Sequence, residues 1–599
     1  MIIDSLLESP ARRPSFNGSL CLLLGIALVW IFGSSLAMSA TYFAAPDGND
    51  RNNGSASSPW RTIQHAANNL QPGDTLTVRP GAYPERVRTA RSGGPGANRI
   101  RFRAEGGAEL QGWLINHANI TLEGFHVTGF TAASVSEARV RVNAGGHSLE
   151  LLDCTFRDAV HITRSDMRFS AADRTISTAQ GGFLAAGFAP GQTIYVGAAT
   201  NGLSINSANS GISKITAVTD NVITVAEALV DQGPMPIYLS AYYQFGIHFH
   251  GSSTNALVQG NRFRNLGYDA WYINGGGHLI VSNVIESVNG WDAMHFGGRD
   301  HVFRSNIIRN SPLYVFQNSP DAMENDSLAP YSRVVFTNNF VYGFSGVLSS
   351  QKGSGTSVDL LVTHNVFVDA GRFNLSHPGT TFEHNTFLRV ARQNTPVVSV
   401  ARHAITVNSG IGAEYVTIRN NVFLDCGQAT GAVRVEDVGW YEVNGPADTL
   451  IAEGNFVAGS PPTFPSKRTF RESNTALNGG DPRLANISDP VGPDGIPFTD
   501  DDGLRPLPDS KLIGAGVGGR TIGAYATPAP GPIRLATRMT GRETLEISWP
   551  KTSQTWRLQI QNNLTGDWND YVSAPQIEQD QYKVSVDTST SRSFFRLVR

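Results

Sequence analysis

The chain is 599 residues long, more than one ordinary domain unless that domain grows by stacking repeats. Hydrophobic residues make up 40 % and charged residues 16 %, with 62 glycines, a balance that suits β-structure with many tight turns and argues against a helical protein. A formal net charge of −3 removes the electrostatic case for a nucleic-acid partner.

The first 40 residues read as an export signal. Arg12 and Arg13 precede an apolar stretch from Leu20 to Phe32, and small residues follow, so cleavage is expected after Ala37 or Ala40. The apolar run is shorter than the roughly 20 residues a spanning helix needs, with an uncleaved anchor as the alternative. The expected location is secreted, extracellular or periplasmic, with no membrane partner after cleavage. Cys21 leaves with the signal. Cys154 and Cys426 lie too far apart along a stacked fold to form a disulfide framework.

From Thr41 to Val87 the sequence predicts a short strand, a Gly/Asn-rich loop, a helix from about Trp60 to Leu70 and a strand from Thr75 to Arg79. In the helix, Ile63, Ala66, Ala67 and Leu70 form one apolar stripe. A solenoid exposes raw strand edges at its ends, so it needs a cap. This segment resembles the N-terminal capping region of secreted pectate-lyase-like right-handed parallel β-helix proteins, which include the family 9 polysaccharide lyases. The resemblance implies a β-helix for residues 41–165 and 240–526.

The repeats themselves support that architecture. Strand-like runs end in Asn261-Arg-Phe263, Asn283-Val-Ile285, Asn306-Ile-Ile308, Asn338-Asn-Phe340, Asn365-Val-Phe367, Asn385-Thr-Phe387, Asn421-Val-Phe423 and Asn455-Phe456. Their spacings of 22, 23, 32, 27, 20, 36 and 34 suit coils of one basal size with loops inserted. An asparagine at a repeated corner tolerates the left-handed backbone region and can bond to the same amide one coil away.

Residues 166–239 lack the corner asparagine and alternate apolar with polar over short runs, so a small inserted β-barrel-like module is expected. Asp494 to Asp509 is acid-rich, a loop that would offer calcium its carboxylates, although a plain solvated loop is the simpler expectation. Residues 527–532 read as a Pro-rich linker, and 533–599 as a C-terminal β-sandwich resembling fibronectin-like modules of bacterial secreted proteins.

Aligning four coils on their asparagines brings together GIHFHG (246–251), DAWYIN (269–274), DAMHFG (292–297) and DAMEND (321–326). Alternation places Ile247, Phe249, Trp271, Met294 and Met323 in the core. On the outer face, His248, Ala270, Ala293 and Ala322 form one column, and His250, Tyr272, His295 and Glu324 the next. This second column is the expected catalytic ladder. Asp269, Asp292, Asp321 and Glu324 are the expected cation ligands, possible Ca²⁺ being the cofactor. Lys352, His377 and Arg402-His403 are further candidates at comparable strand ends, Lys352 because the chain has only six lysines. Trp271, Trp291, Tyr314 and Tyr331 would stack on sugar rings, with Arg299 as an additional substrate contact.

These groups suit β-elimination on an extended acidic polysaccharide by a monomeric enzyme. His295 or Lys352 would be the base and Tyr272 the acid. The family resemblance implies a lysine base and an aspartate-bound calcium, but the tight acidic cluster typical of those enzymes is absent. An inverting glycoside hydrolase using Asp292 and Asp321, or a non-catalytic carbohydrate-binding surface protein, are the alternatives.

Overall fold

The computed structural model describes residues 39–599 except 131–136, 158–159, 200–204, 242–243, 267, 287, 289–291, 310–313, 319–329, 345, 351–357, 376–377, 392–403, 408–414, 427–440, 444–450, 459–470, 474–476, 526–535, 541–543, 551–556, 562–568, 572–574, 579–580, 588–593 and 599. Short strands follow one another in triplets, and each triplet pairs in parallel with the next. Leu257–Gln259, Arg262–Arg264 and Trp271–Ile273 stack on Leu279–Val281, Val284–Glu286 and Met294–Phe296 in turn. One member of each triplet joins a 15-stranded sheet and the other two a 21-stranded sheet. Right-handed crossover is the physical default for such parallel connections. The fold is a right-handed parallel β-helix, as expected.

In the first two strands of each triplet the middle residue points inward, as Val258 and Phe263 do; in the third the flanking residues do, Trp271 with Ile273 and Met294 with Phe296, and one continuous core runs from Ala44 to Val457. Identical side chains stack along it: Phe367 on Phe387 at 5.1 Å and Phe387 on Phe423 at 4.7 Å, close to the strand repeat. At the N-terminal end the helix Ile63–Asn69, shorter than expected, buries Ile63, Ala66 and Ala67 over the first coil. Thr62 caps it by accepting from the His65 N–H. The Glu85 carboxylate takes the N–H groups of Ile63 and Gln64.

The asparagine corner is a true ladder, with two corrections. First, its fourth member is Asn339 rather than Asn338. The buried side chains of Asn261, Asn283, Asn306, Asn339, Asn365, Asn385 and Asn421 each donate to the amide oxygen of the next, at 2.9–3.0 Å, and Asn455 is the last acceptor. Second, the left-handed residue is the one before: Ser282, Ser305, Asn338, His364, His384 and Asn420 have φ between 54° and 56°. Below Asn261 the ladder ends at Cys154, whose N–H donates to the Asn261 side chain. Cys154 and Cys426 are both free thiols, and burial pushes Cys154 up to about 12, so it is inert.

A second corner carries a histidine stack. His278 and His301 lie parallel at 5.0 Å, both buried. His278 Nδ1 accepts from the Ala256 N–H at 3.1 Å and His301 Nδ1 from the His278 N–H at 3.3 Å, while their Nε2 atoms face the Asn274 and Gly297 carbonyls. Burial lowers His278 to about 3 and His301 to about 4, against roughly 6.5 in an unfolded chain. Both folded values lie below the unfolded one, so the neutral stack stabilises fully above about pH 6.5 and this contribution is lost as pH falls toward 4. Thermal melts are expected to fall across that window, and His301→Asn to reduce the pH slope by about one proton. An unchanged slope in that variant would remove the stack from the account.

Residues His161–Ser240 form a closed six-stranded antiparallel barrel with its own core around Met167, Phe183, Ile194 and Ile237. Its first and last strands pair, His161 opposite Ser240, and the Ala241 N–H bonds to the Val160 carbonyl at 2.9 Å. The solenoid continues straight across the insertion: Glu150 pairs with Leu257 and Thr155 with Arg262.

The acid-rich stretch is not a plain solvated loop. Residues after the last coil fold back along the outside of the helix, burying Leu484, Leu504, Leu512 and Ile522 against Val366, Leu388 and Val422. Asp502 is fully buried and accepts from the Phe498 N–H and the Tyr525 hydroxyl. Beyond this strap, a four-stranded and a three-stranded antiparallel sheet share a small core of Ile547, Trp549, Leu558, Val584 and Val586.

Candidate functional site

Strand register decides which side chains are neighbours. Tyr272 pairs with His295, so these two expected ladder members stand on adjacent coils, about 4.8 Å apart. The partner of Tyr272 on the other side is His248, not His250. His250 lies beyond its strand, exposed, with Nδ1 accepting from the Ser252 N–H. The fourth coil contributes Tyr314–Asn318, and Gln317 stands opposite His295. Glu324 is not in that strand. Arg141 pairs with His248 on the N-terminal side, so the column reads Arg141, His248, Tyr272, His295.

Around this column the aromatic rings close up. His248 and Tyr272 have ring centroids 4.3 Å apart, Phe245 lies 5.0 Å from Tyr272 and 4.6 Å from Tyr268, and Tyr272 is 6.0 Å from His295. The column is not the open outer wall expected. His248, Tyr272 and His295 are 7 %, 6 % and 3 % exposed. Such burial strengthens every charge interaction among them.

His295 is held between two carboxylates. Its Nδ1 bonds to the Asp269 carboxylate and its Nε2 lies 3.5 Å from Asp292 Oδ2. Asp269 also takes the backbone N–H of Asp292 at 2.9 Å, which ties the two corners together. Both aspartates are fully buried. Burial pushes the Asp269 carboxyl up, and the neighbouring imidazole opposes that shift. Burial, with the charge of Asp269 adding to it, raises the phenol of Tyr195 in the barrel to about 12.

Several expectations need correction. Asp269 spends one oxygen on an N–H of Asp292 and the other on His295, so it orients the histidine and does not fit a calcium ligand. Trp271 is fully buried between Phe263 and Phe303, and Tyr331 is 1 % exposed, so neither stacks on a sugar. Ala270 and Ala293 belong to the core rather than beside the ladder. Arg299 is exposed, with its Nε 3.7 Å from Asp300. Lys352, His377, Arg402, His403, Trp291, Asp321 and Glu324 lie outside the described residues, and of Tyr314 only the backbone is described. Among the described residues, the one group of acidic side chains close enough to share a cation is Asp494, Asp501 and Asp502 in the strap.

No family model matches the chain, and no curated protein matches it. Solved structures do. A pectate lyase, Pel9A, is 13 % identical, with 82 % of this chain and 97 % of that one aligned at a TM-score of 0.40. A PL6 family polysaccharide lyase from Pseudopedobacter saltans is 10 % identical over 69 % of this chain and 96 % of that one, at 0.35. A GH136 lacto-N-biosidase from Eubacterium ramulus is 10 % identical over 58 % and 64 %, at 0.29.

The sequence reading missed His248 as a ladder member, and Arg141 and Tyr195 altogether. Arg141 sits within an alternating run, Ala138–Val142, but two short strands and the whole barrel separate it from His248 in sequence. Only strand pairing reveals it.

Proposed function

We propose that the protein is a secreted polysaccharide lyase that cleaves a uronic-acid-containing polysaccharide by β-elimination at the His248–Tyr272–His295 column. The observation that carries this reading is His295, a buried imidazole with Asp269 on its Nδ1 and a phenol on the adjacent coil. A carboxylate on one ring nitrogen fixes the tautomer and supports the imidazolium that forms when the other nitrogen takes a proton. His295 removes the proton α to the uronate carboxylate. The freed electron pair forms the carbon–carbon double bond, and the glycosidic oxygen leaves with the Tyr272 phenol proton. Proton return from His295 to Tyr272 resets the site. His248 and Arg141, on the far side of Tyr272, offer donors to the sugar's acid group.

The test is incubation with a panel of polyuronates, followed by near-ultraviolet absorbance and by reducing ends. Unsaturated product is expected. EDTA is expected to leave the rate unchanged, because Asp269 is committed to N–H donors rather than to calcium. New reducing ends without absorbance would replace the lyase with a hydrolase, and neither signal would leave a binding protein.

A further inference from the structure

One corner away from the His295 column, the strands that follow the asparagine ladder carry a second column. Arg157, Arg264, Glu286, Arg309 and Tyr342 pair in succession on five adjacent coils, a span of about 19 Å. They line an open cleft of about 800 Å³, whose far side is closed by Ser488, Pro490 and Val491 of the strap and by His161 of the barrel. None of these residues takes part in the proposed elimination.

The charges in this cleft do not balance. Glu286 is 11 % exposed at its side chain and receives three guanidiniums: Arg264 at 2.9 Å, Arg262 at 3.2 Å, and Arg309. Further along, Arg389 makes a two-point contact with Asp369, and Arg157 pairs with Glu109. At Glu286 three guanidiniums thus share one carboxylate, a local surplus of two positive charges. Burial alone would raise Glu286, yet Arg309 and Arg262 hold it down at about 2, so it stays ionised and still leaves positive charge unspent. The guanidiniums are 39–52 % exposed and turned to solvent. Beside them Tyr342, at the end of its strand, is 38 % exposed.

A planar donor fork repeated at coil spacing, next to an exposed aromatic face, matches an extended chain bearing acidic groups and flat sugar rings. We propose that this cleft is a second, non-catalytic binding site for an anionic polysaccharide segment, its carboxylates or sulfates held by Arg264 and Arg309 and a sugar ring by Tyr342. The identity of the ligand as a polysaccharide rests on the reading above; the site itself does not. Of the barrel, His161 lines this cleft.

Affinity electrophoresis of the full chain tests this, in gels containing polygalacturonate, alginate, dextran sulfate or neutral dextran. At least one anionic polymer is expected to retard the protein, less so in added salt, and dextran is not; the responding arm separates carboxylate from sulfate. Arg264→Gln/Arg309→Gln is expected to weaken retardation at least tenfold. Glu286→Gln, which removes the competing carboxylate, is expected to strengthen it severalfold. His295→Ala is expected to bind as the parent does while forming no product. Retardation by no anionic polymer, equal retardation of the arginine variant, or loss of binding in His295→Ala would each overturn the cleft. If the arginine variant does not fold, Glu286→Gln decides: unchanged or weaker binding rejects the site. Product formation without binding here would leave the lyase standing alone.

Discussion

His295→Gln is expected to lower kcat on the cleaved polyuronate by about 10²–10⁴-fold, the usual contribution of a positioned acid–base group. Glutamine keeps an N–H for the Asp269 carboxylate, so the buried acid retains a partner and the chain still folds. Asp269→Asn is the sharper companion. Removing the negative charge on Nδ1 lowers the imidazole pKa, because a neighbouring carboxylate favours the protonated ring. The acid limb of the rate profile should therefore move to lower pH, and the amide's N–H₂ would also favour the wrong tautomer. A purely structural Asp269–His295 pair would lower the melting temperature without moving that limb. Full activity in His295→Gln would end the proposed chemistry.

Asn339→Ala is expected to cost about 3–5 kcal/mol of folding stability. The side chain of Asn339 donates to the Phe303 carbonyl and the Asn365 side chain and accepts the N–H and amide of Asn306, all buried, and donates to the part-buried Thr337 carbonyl. Alanine strands the Asn306 N–H and the Phe303 carbonyl, at roughly 1–3 kcal/mol each, and breaks the chain of polarised amides. Its neighbour Asn338 has φ 54° and lies at the rim, so Asn338→Gly is expected to stay within about 0.5 kcal/mol. Denaturant midpoints of the two variants separate ladder from corner. A cost below about 1 kcal/mol for Asn339→Ala would show that the ladder does not hold the coils in register.

Much of the architecture was written in local pattern. A repeated asparagine before two apolar residues names the corner, and a helix before the first coil names the cap; both are short-range signals. The ladder's fourth rung was misplaced by one because Asn338 and Asn339 are both asparagine, and only burial distinguishes the rung from the left-handed residue ahead of it. The site was legible in part. Tyr272 and His295 each sit 11 residues before their asparagines, which pairs them correctly, and the same count lands on His250 in the coil before. The turn there is two residues longer, so His248 takes the place. An even error preserves the face and misses the neighbour. In the fourth coil the strand is Tyr314–Asn318, well ahead of the Asp321–Glu324 run that echoed its predecessors in composition alone. The arginine column was missed for another reason: arginine on an outward position reads as ordinary solvation until three guanidiniums are seen to share one carboxylate.

The barrel leaves the solenoid at Val160 and returns at Ala241, two residues already joined by a hydrogen bond. Nothing in the stacking of coils depends on what lies between them, so the eighty intervening residues behave as a cassette. Such a cassette can be gained, lost or exchanged in a lineage without paying again for the register of the helix, while every exchange redraws the rim of the arginine cleft that His161 lines. Diversification of this scaffold therefore has a cheap route: alter the appendage and keep the spine.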